Sequence, residues 1–415
     1  MSSHWQETSA TSCQLKWCYS MLNTGAGTVQ SCHRTRPYQL SKQNFLDFHN
    51  NDKFIADRQI MQLGEWPADC RICQEAEQLN AVSDRQQHNR TIGIVPREVL
   101  ADPTTLRTTP TFVEIYFNNT CNMRCIYCSP TLSSKWQEET RQHGNIVIDS
   151  RNAIRNFVSD RSSYTDYVDQ WWQWFDQNVT NLRVLNVMGG EPLIIDEVDR
   201  LFDRLGQLYN PKLELRLVSN INVPTAILAD KVAAMKSLIA QGRIRSCVVT
   251  TSIDSFDKDS ELQRFGLKLD LFRANMDLLL DTPEIVVGIN STVTALGVKH
   301  LPTLAQQYRI WTQRHPIVWS LNRVSDQTQF LDIGILPRDE VLPAIQQSLE
   351  IVANPDDFAY QQIQRLESYV VNKNSLGDRT ALLNLQAYLT ELDRRRKTDW
   401  RVYYPWLEKV TDNVV

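Results

Sequence analysis

A chain of 415 residues is long enough for two or three packed units, or for one large domain with an appendage. The hydrophobic share of 42% is ordinary for a globular protein. With 44 basic and 48 acidic residues, the net charge of −4 argues against a nucleic-acid partner. No run of about 18 apolar residues and no signal-like N-terminus is present, so we expect a cytoplasmic protein without a membrane partner.

The cysteines are concentrated near the start of the chain. Eight of the nine fall in the first 130 residues, at positions 13, 18, 32, 70, 73, 121, 125 and 128. Clustered cysteines in a chain without a secretory signal are typical of metal ligands rather than of disulfides. The ninth, Cys247, lies in a β-rich run and is expected to be a buried apolar residue.

Residues 1–105 are polar and show few periodic segments, whereas β-rich runs and helical patterns alternate from residue 111 onward. The runs are Phe112–Phe117, Leu182–Met188, Leu213–Ser219, Ser246–Ile253, Ile285–Val293 and Ile317–Arg323. The helical patterns between them cover 152–178, 196–208, 225–241, 259–281 and 298–314. This alternation predicts an α/β fold with a parallel sheet, whose active site lies at the carboxyl ends of the strands. The aromatic stretch 160–180 is expected to pack as a helix against that sheet.

Directly after the first predicted core strand comes the spacing C-x3-C-x2-C, formed by Cys121, Cys125 and Cys128. Structural zinc sites use four ligands, usually in two pairs. Three cysteines in one loop instead suit an iron–sulfur cube with one iron left open to a small molecule.

This motif, with Tyr127 before its last cysteine, resembles the signature of the radical S-adenosylmethionine (SAM) superfamily. A second match is Gly189-Gly190-Glu191-Pro192, which ends the second strand and is similar to the GGEP motif of that superfamily. The resemblance implies that SAM binds the open iron, that Glu191 accepts the SAM ammonium, and that reductive cleavage of SAM yields a 5′-deoxyadenosyl radical. In isolation, GGEP would also suit a tight strand-to-helix turn.

Further strand ends match the same superfamily in order. Asn220 follows the third strand, and the fourth is followed by a Ser-Ile-Asp…Arg pattern with Ser252, Asp254 and Arg264. Asn290 and Thr292 lie on the fifth strand. The resemblance implies that these residues face SAM, with Arg264 on its carboxylate. Some polar residues here could instead cap a helix, as Ser255 or Asp257 would.

The N-terminal cysteines resemble the SPASM/twitch modules of radical SAM enzymes, which carry an auxiliary [4Fe–4S] cluster. The matching ligands are Cys13, Cys32, Cys70 and Cys73, and the sequence continues with Glu77, Ser83 and Arg85 as in the twitch ending. Cys13 is preferred over Cys18 because Cys13-Gln14-Leu15-Lys16-Trp17 resembles the C-x-L-P-W pattern, with Lys16 in place of proline. The module precedes the core here, whereas it follows the core in many relatives. A zinc-stabilised appendage is the alternative.

The sequence therefore predicts a partial (β/α)6 radical SAM barrel at 106–340, a twitch-like iron–sulfur module at 1–105 and a helical extension at 341–415. The expected activity is that of a radical SAM oxidoreductase or modifying enzyme that abstracts hydrogen from a peptide or protein, with a flavodoxin or ferredoxin as electron donor. A nucleoside or sugar-like metabolite, or a non-catalytic metal-binding scaffold, are the alternatives. No residue that deprotonates or reduces the product is identified.

Overall fold

The computed structural model describes residues 9–78, 82–91, 105–148, 164–324, 326–373 and 376–414. The strands are β1 (Tyr19–Asn23), β2 (Thr28–Gln30), β3 (Tyr38–Gln39), β4 (Phe112–Tyr116), β5 (Arg124–Cys125), β6 (Val184–Met188), β7 (Glu214–Ser219), β8 (Ser246–Ser252), β9 (Arg264–Phe265), β10 (Ile285–Val293) and β11 (Ile317–Arg323). Nine of them form one sheet in the order β11-β10-β8-β7-β6-β4-β1-β2-β3, and β5 pairs separately with β9.

The helices lie between and after these strands. They are α1 (Gln14–Cys18), α2 (Asp52–Gln62), α3 (Arg71–Gln78), α4 (Asp84–Thr91), α5 (Ser134–His143), α6 (Tyr164–Asn178), α7 (Asp196–Gln207), α8 (Thr225–Ala240), α9 (Asp259–Gln263), α10 (Leu269–Leu280), α11 (Leu301–Thr312), α12 (Arg338–Val352), α13 (Phe358–Val371), α14 (Arg379–Arg396), α15 (Trp400–Tyr403) and α16 (Pro405–Val414). None within the described ranges has the length and apolar character needed to cross a membrane.

The six strands expected from the sequence are present as β4, β6, β7, β8, β10 and β11. Every neighbouring pair among them is parallel. The α/β prediction with a mainly parallel sheet is thus confirmed, and the prediction of a helical region after residue 340 agrees with α12 to α16. Closure of the strands into a partial (β/α)6 barrel stays a prediction.

The N-terminal part of the chain adds strands that the sequence did not reveal. β1 runs parallel to β4, in a register from Tyr19 opposite Phe112 to Asn23 opposite Tyr116. β2 and β3 then continue the same sheet in antiparallel fashion. β2 and β3 have only three and two residues, and β1, with the sequence Tyr-Ser-Met-Leu-Asn, has a single residue of a type that favours strands. The segment predicted as a separate module thus shares a sheet with the predicted core, and the three domain boundaries stay predictions.

One predicted helix, 259–281, is wrong as a single element. The chain forms α9, then the short strand β9, then α10. β9 pairs antiparallel with β5, placing Arg264 opposite Cys125. Gly266 follows with φ +107°, a conformation that a helix cannot contain. Of the predicted helix 152–178, residues 164–178 form α6 and the earlier part lies outside the described residues.

The two faces of the sheet differ in chemistry. One face is aliphatic and fully buried, with Val113, Ile115, Leu185, Val187, Leu215, Leu217, Val249 and Ile289. Helix α6 lies in the same core, where Trp171 and Phe175 are fully buried and Trp172 stacks on Phe117 at 5.7 Å between ring centroids. The expected packing role of this aromatic helix is thus confirmed. The other face carries half-buried and polar side chains such as Glu114, Tyr116 and Met188.

The C-terminal helices pack onto the cysteine loop, defined here as residues 118–133. The Tyr388 hydroxyl donates to the carbonyl of Ile126 at 2.5 Å. Arg396 donates to the buried carboxylate of Glu139 at 3.1 Å, and Arg124 pairs with the same carboxylate at 2.9 Å. Trp400 and Tyr404, two aromatic residues of the tail, are fully buried in the core. The tail therefore covers the loop.

Replacing Arg396 by leucine tests this packing. Because the change removes one partner of a buried carboxylate, we expect the free energy of unfolding to fall by about 3 kcal/mol, the lower end for a broken buried pair, since Arg124 still contacts Glu139. Arg394→Leu is the matched control on the same helix. Its pair with Glu391 is exposed, so a loss below about 1 kcal/mol is expected in urea unfolding. Equal losses in the two variants would contradict the proposed difference between them.

Candidate active site and cysteine centres

The cysteine loop begins at the carboxyl end of β4 and is attached to the sheet at several points. Cys125 lies in β5, whose partner β9 follows β8 and α9. The Ile126 amide donates to the Gln263 carbonyl at 2.8 Å, and the Trp136 indole donates to the Cys125 carbonyl at 2.7 Å. Ser133 caps α5 and also donates to the Met123 carbonyl at 2.7 Å. The shape of the loop is therefore fixed by contacts with neighbouring elements as well as by its own turns.

The three loop thiols are close neighbours but do not converge on a single point. Among the described residues, only Asp257, Asp259 and His300 form a group of three or more potential ligands whose donor atoms all lie within 4.8 Å of one another. Sulfurs that share one zinc ion lie about 3.8 Å apart, given a Zn–S bond of about 2.3 Å and tetrahedral geometry. Cys121, Cys125 and Cys128 do not all lie within 4.8 Å of one another, and three thiolates in one loop would suit a cluster in which each binds a different iron.

The surroundings of the loop thiols oppose their ionisation. Burial raises the pKa of Cys121 to about 12, and it raises the pKa of Cys125 and Cys128 as well. Each thiolate also opposes ionisation of its neighbours. Because the thiolate is the ligand, three such groups ionise together only beside a strong positive charge.

The two glycines of the GGEP motif are required by close contact with the cysteine loop. A Cβ on Gly190 would lie 2.0 Å from the Thr120 carbonyl oxygen, a distance at which atoms cannot coexist. Gly189 adopts φ +106° and would place a Cβ 3.0 Å from the Asn118 carbonyl oxygen. The Glu191 amide donates to the same Thr120 carbonyl at 2.7 Å. The end of β6 thus supports the residue immediately before Cys121.

Glu191 itself is a buried acceptor. One carboxylate oxygen accepts from the Ser219 hydroxyl at 2.6 Å and the Leu193 amide at 3.1 Å, and the other accepts from the Asn220 amide at 2.7 Å. Burial raises its pKa to about 7, and these hydrogen bonds oppose that rise. Pro192 begins the short 3-10 turn that follows. In this geometry Glu191 joins the ends of β6 and β7, and its role towards a SAM ammonium stays a prediction.

A second buried carboxylate, Asp254, brings together several predicted site residues. It accepts from the Tyr127 hydroxyl at 2.6 Å, from Arg264 at 2.8 Å and from the Thr292 amide at 2.8 Å. Burial opposes the charge on Arg264, but Asp254, Tyr127 and Cys125 outweigh it and raise the pKa of the guanidinium. The Arg264 Nε is buried and has no hydrogen-bond partner within the described part of the chain. An anionic oxygen would satisfy that donor.

The remaining predicted residues lie on neighbouring strands at the same edge. Ser252 is directly opposite Asn290 in the β8–β10 pair. The Asn290 side chain accepts from Asn322 at 2.7 Å. Asn220 follows β7 and donates to the Asn122 side chain in the cysteine loop at 2.8 Å. The carboxyl ends of β4, β6, β7, β8 and β10 therefore meet around the loop.

Sequence reasoning missed a chain of amides that extends this contact. Asn122 donates to the Asn222 carbonyl at 2.7 Å, and the Asn222 side chain donates to the Gly266 carbonyl at 2.8 Å. Asn275, fully buried, donates to the carbonyls of Ile221 and Val223. Ile221 has φ +45°, an uncommon conformation for a β-branched residue. The Asn220-Ile221-Asn222 run after a strand was the available signal for this network.

At the N-terminal end, Cys13, Cys32, Cys70 and Cys73 line one narrow cavity. Cys18, the alternative ligand, does not line it and is buried near Arg58 instead. As in the cysteine loop, no three of these sulfurs lie within 4.8 Å of one another in the described residues. Four cysteines around one cavity suit either a four-iron cluster or a zinc ion, so the identity of the metal stays a prediction.

Charged side chains surround the N-terminal cavity. Ser83 and Arg85 both donate to Glu77, with Arg85 doing so at 2.9 and 2.8 Å through two nitrogens. The three residues that resemble the twitch ending, Glu77, Ser83 and Arg85, are therefore in direct contact. Lys16, which stands where the C-x-L-P-W pattern has proline, is buried and donates to Asp57 at 2.6 Å and to Ser31 at 2.9 Å.

Comparison with known proteins gives a limited likeness. No protein-family model matches the chain, and no curated protein matches it. Similar solved structures include Streptococcus suis SuiB bound to S-adenosylmethionine, with 12% identity over 81% of this chain and 69% of that chain and a TM-score of 0.41. The same protein bound to precursor peptide SuiA has 13% identity over 94% of this chain and 73% of that chain, with a TM-score of 0.37. Native anSMEcpe with bound AdoMet and Kp18Cys peptide has 13% identity over 64% and 67%, with a TM-score of 0.35. Function must accordingly be argued from the side chains of this chain.

Replacing Gly190 by alanine tests the contact between β6 and the cysteine loop. The added methyl group overlaps the Thr120 carbonyl, so the loop must move, and we expect the free energy of unfolding to fall by about 3 kcal/mol or more. Gly206→Ala in α7 is the control, because its added methyl group meets no atom within 4 Å. This control should be neutral or stabilised by up to about 1 kcal/mol. Similar stability of the two variants in urea would refute the close approach.

Proposed function

We propose that this protein is a radical SAM enzyme that holds a [4Fe–4S] cluster through Cys121, Cys125 and Cys128. The observation that carries the proposal is the convergence of four motifs at one edge of the sheet. The cysteine loop, the GGEP turn, the Ser-Ile-Asp…Arg segment and the β10 polar pair are far apart in sequence, yet they contact one another directly. Each motif alone has an ordinary structural explanation, but their joint position does not.

The cluster and SAM fit the groups at this edge. The three loop thiols would provide three iron ligands, and the unpartnered Arg264 Nε would donate to the SAM carboxylate. Ser252, Asn290 and Thr292 would line the bound cofactor on its other side. When bound, the pair would supply a 5′-deoxyadenosyl radical after one-electron reduction, with a flavodoxin or ferredoxin as the proposed donor.

The protein's own contribution is to fix the position of the cluster ligands and to keep water away. Tyr127 and Arg264 are both bound to Asp254, so the segment before Cys128 is tied to β8 and β9. The cover of α14 over Ile126 closes the outer side of the loop. A reactive radical requires such exclusion, because water and stray side chains would otherwise consume it.

We further propose that Cys13, Cys32, Cys70 and Cys73 hold an auxiliary [4Fe–4S] cluster, as in SPASM/twitch modules. Four sulfurs around one cavity complete the coordination of all four irons, so this centre would have no open position for SAM. A peptide or protein is the substrate class we propose, in line with the resemblance to that subgroup.

Replacement of Cys125 by alanine tests the central assignment. Anaerobically prepared wild-type protein should hold about eight irons per chain and should form 5′-deoxyadenosine when reduced with SAM. Because one ligand of the SAM-binding cluster is lost, the variant should hold about four irons and form no 5′-deoxyadenosine. Cys247→Ala is the control, since Cys247 is buried in β8 away from both centres and should leave both readouts unchanged. Persistent SAM cleavage in Cys125→Ala would overturn the cluster assignment. Wild-type protein that contains zinc but no iron would overturn the proposal that this is a radical SAM enzyme.

Two single substitutions test whether Cys13 or Cys18 is the fourth ligand of the N-terminal centre. Cys13→Ser should remove about four irons because its sulfur lines the cavity with the other three cysteines. Cys18→Ser should keep all of them, since Cys18 lies near Arg58 and outside the cavity. Iron and sulfide analysis, together with the electron paramagnetic resonance spectrum of the reduced protein, gives the measurement. Iron loss in Cys18→Ser alone would reverse the ligand choice, and zinc at this site would favour the structural appendage.

A further inference from the structure

The polar face of the sheet carries a row of three side chains below the cysteine loop. Glu114 on β4 is directly opposite Asn186 on β6, and Asn186 is directly opposite Arg216 on β7. Tyr116 and Met188 form the next row towards the loop, about 7 Å further along the strands. The row is therefore on the same face of the sheet as the strand-end residues Ser252 and Asn290.

On the side of this row away from the cysteine loop lies an apolar cluster, to which the N-terminal part of the chain contributes. Phe112 and Val184 lie opposite each other at the start of β4 and β6, and Tyr19 contacts Phe112 edge-on at 5.0 Å between ring centroids. These three side chains pack in one apolar cluster with Cys13 and Trp17. The Glu114 row thus lies on the polar face of the sheet, between this apolar cluster and the row of Tyr116 and Met188.

Glu114 is a carboxylate without an ion pair. The Asn186 side chain donates to it at 3.2 Å, and the Tyr19 hydroxyl also donates to it. Arg216, the nearest cation in the row, binds Glu214 instead at 2.6 Å. No Lys, Arg or His nitrogen in the described ranges lies within 4.0 Å of the Glu114 carboxylate. Burial raises its pKa, which reflects a charge whose desolvation is only partly offset.

Asn186 presents a second acceptor beside the first. Its amide nitrogen is used by Glu114, which fixes the orientation of the amide. The Asn186 side-chain oxygen is buried, the residue being 7% exposed, and it has no hydrogen-bond partner within the described part of the chain. Buried polar atoms are nearly always paired, so the unpartnered Asn186 oxygen beside the Glu114 carboxylate needs an explanation.

We propose that Glu114 and Asn186 form a substrate subsite for a cationic hydrogen-bond donor, an ammonium or guanidinium group. Such a group supplies the direct ion-pair partner that Glu114 lacks, since His33 and Arg216 act on it only from a distance, and the N–H that Asn186 lacks. The half-buried Tyr116 ring in the next row gives an aromatic surface for the same cation. This inference rests on the proposed function only in that the substrate must enter the polar face of the sheet.

The test measures binding of n-butylammonium to the full-length, iron-loaded protein by isothermal titration calorimetry. Butan-1-ol and butyrate are the neutral and anionic probes of similar size. Wild-type protein should prefer butylammonium over both. Glu114→Gln keeps the shape and removes the charge, so it should weaken butylammonium binding at least about tenfold, with iron content and SAM affinity unchanged. Glu284→Gln is the matched control, since it removes one surface charge at an exposed pair with Lys236 and should have no effect.

Equal binding of butylammonium by wild type and Glu114→Gln would overturn the subsite. If Glu114→Gln loses iron, the binding of the three probes to wild-type protein is the deciding measurement. Tighter binding of butan-1-ol or butyrate than of butylammonium would then overturn the proposal. Butylammonium selectivity in a protein that forms no 5′-deoxyadenosine would support the subsite while the proposed function fails. Turnover without this selectivity would overturn the subsite while the proposed function stands.

Discussion

The arrangement of the site depends on Asp254, a buried carboxylate that accepts from a tyrosine, an arginine and a backbone amide. These three donors come from the cysteine loop, β9 and β10, so a single anion joins segments that lie far apart in the chain. An ion pair in so buried a place depends on the hydrogen bonds around it to offset the loss of water. Here those hydrogen bonds are also the contacts that give the loop its position, so stability and ligand placement have the same origin.

The parallel core could be predicted from the sequence because its strands carry β-branched residues or an alternating apolar pattern. Six runs of β-rich residues became six parallel strands, and the cysteine motif indicated where the first of them ends. The short pairs could not be predicted. β9 has two residues and lies inside a helical pattern, and it is fixed by its pairing with β5 rather than by its own composition. β1 likewise exists because β4 offers it an edge, a contact that local sequence does not encode.

The candidate site divides in the same way. The cysteines and the GGEP glycines were predictable because their chemistry and spacing admit few other uses. The carboxylates were harder, since an isolated Glu or Asp gives no indication of its partners. Glu191 holds the ends of two strands and Asp254 holds a loop, and these contacts appear only when the strands are placed together. No sequence motif identified Glu114, because its burial and its hydrogen bonds depend on neighbours on β1, β6 and β7.

The contact between Tyr388 and Ile126 spans 262 positions of the chain. During synthesis the cysteine loop leaves the ribosome long before its cover exists. At about 5–20 residues per second, the delay is roughly 13–50 s. Throughout that interval the carbonyl of Ile126 and the outer side of the loop are open to other molecules. The order of translation thus leaves the loop thiols accessible from this side for a period, and the packing of α14 onto the loop ends it.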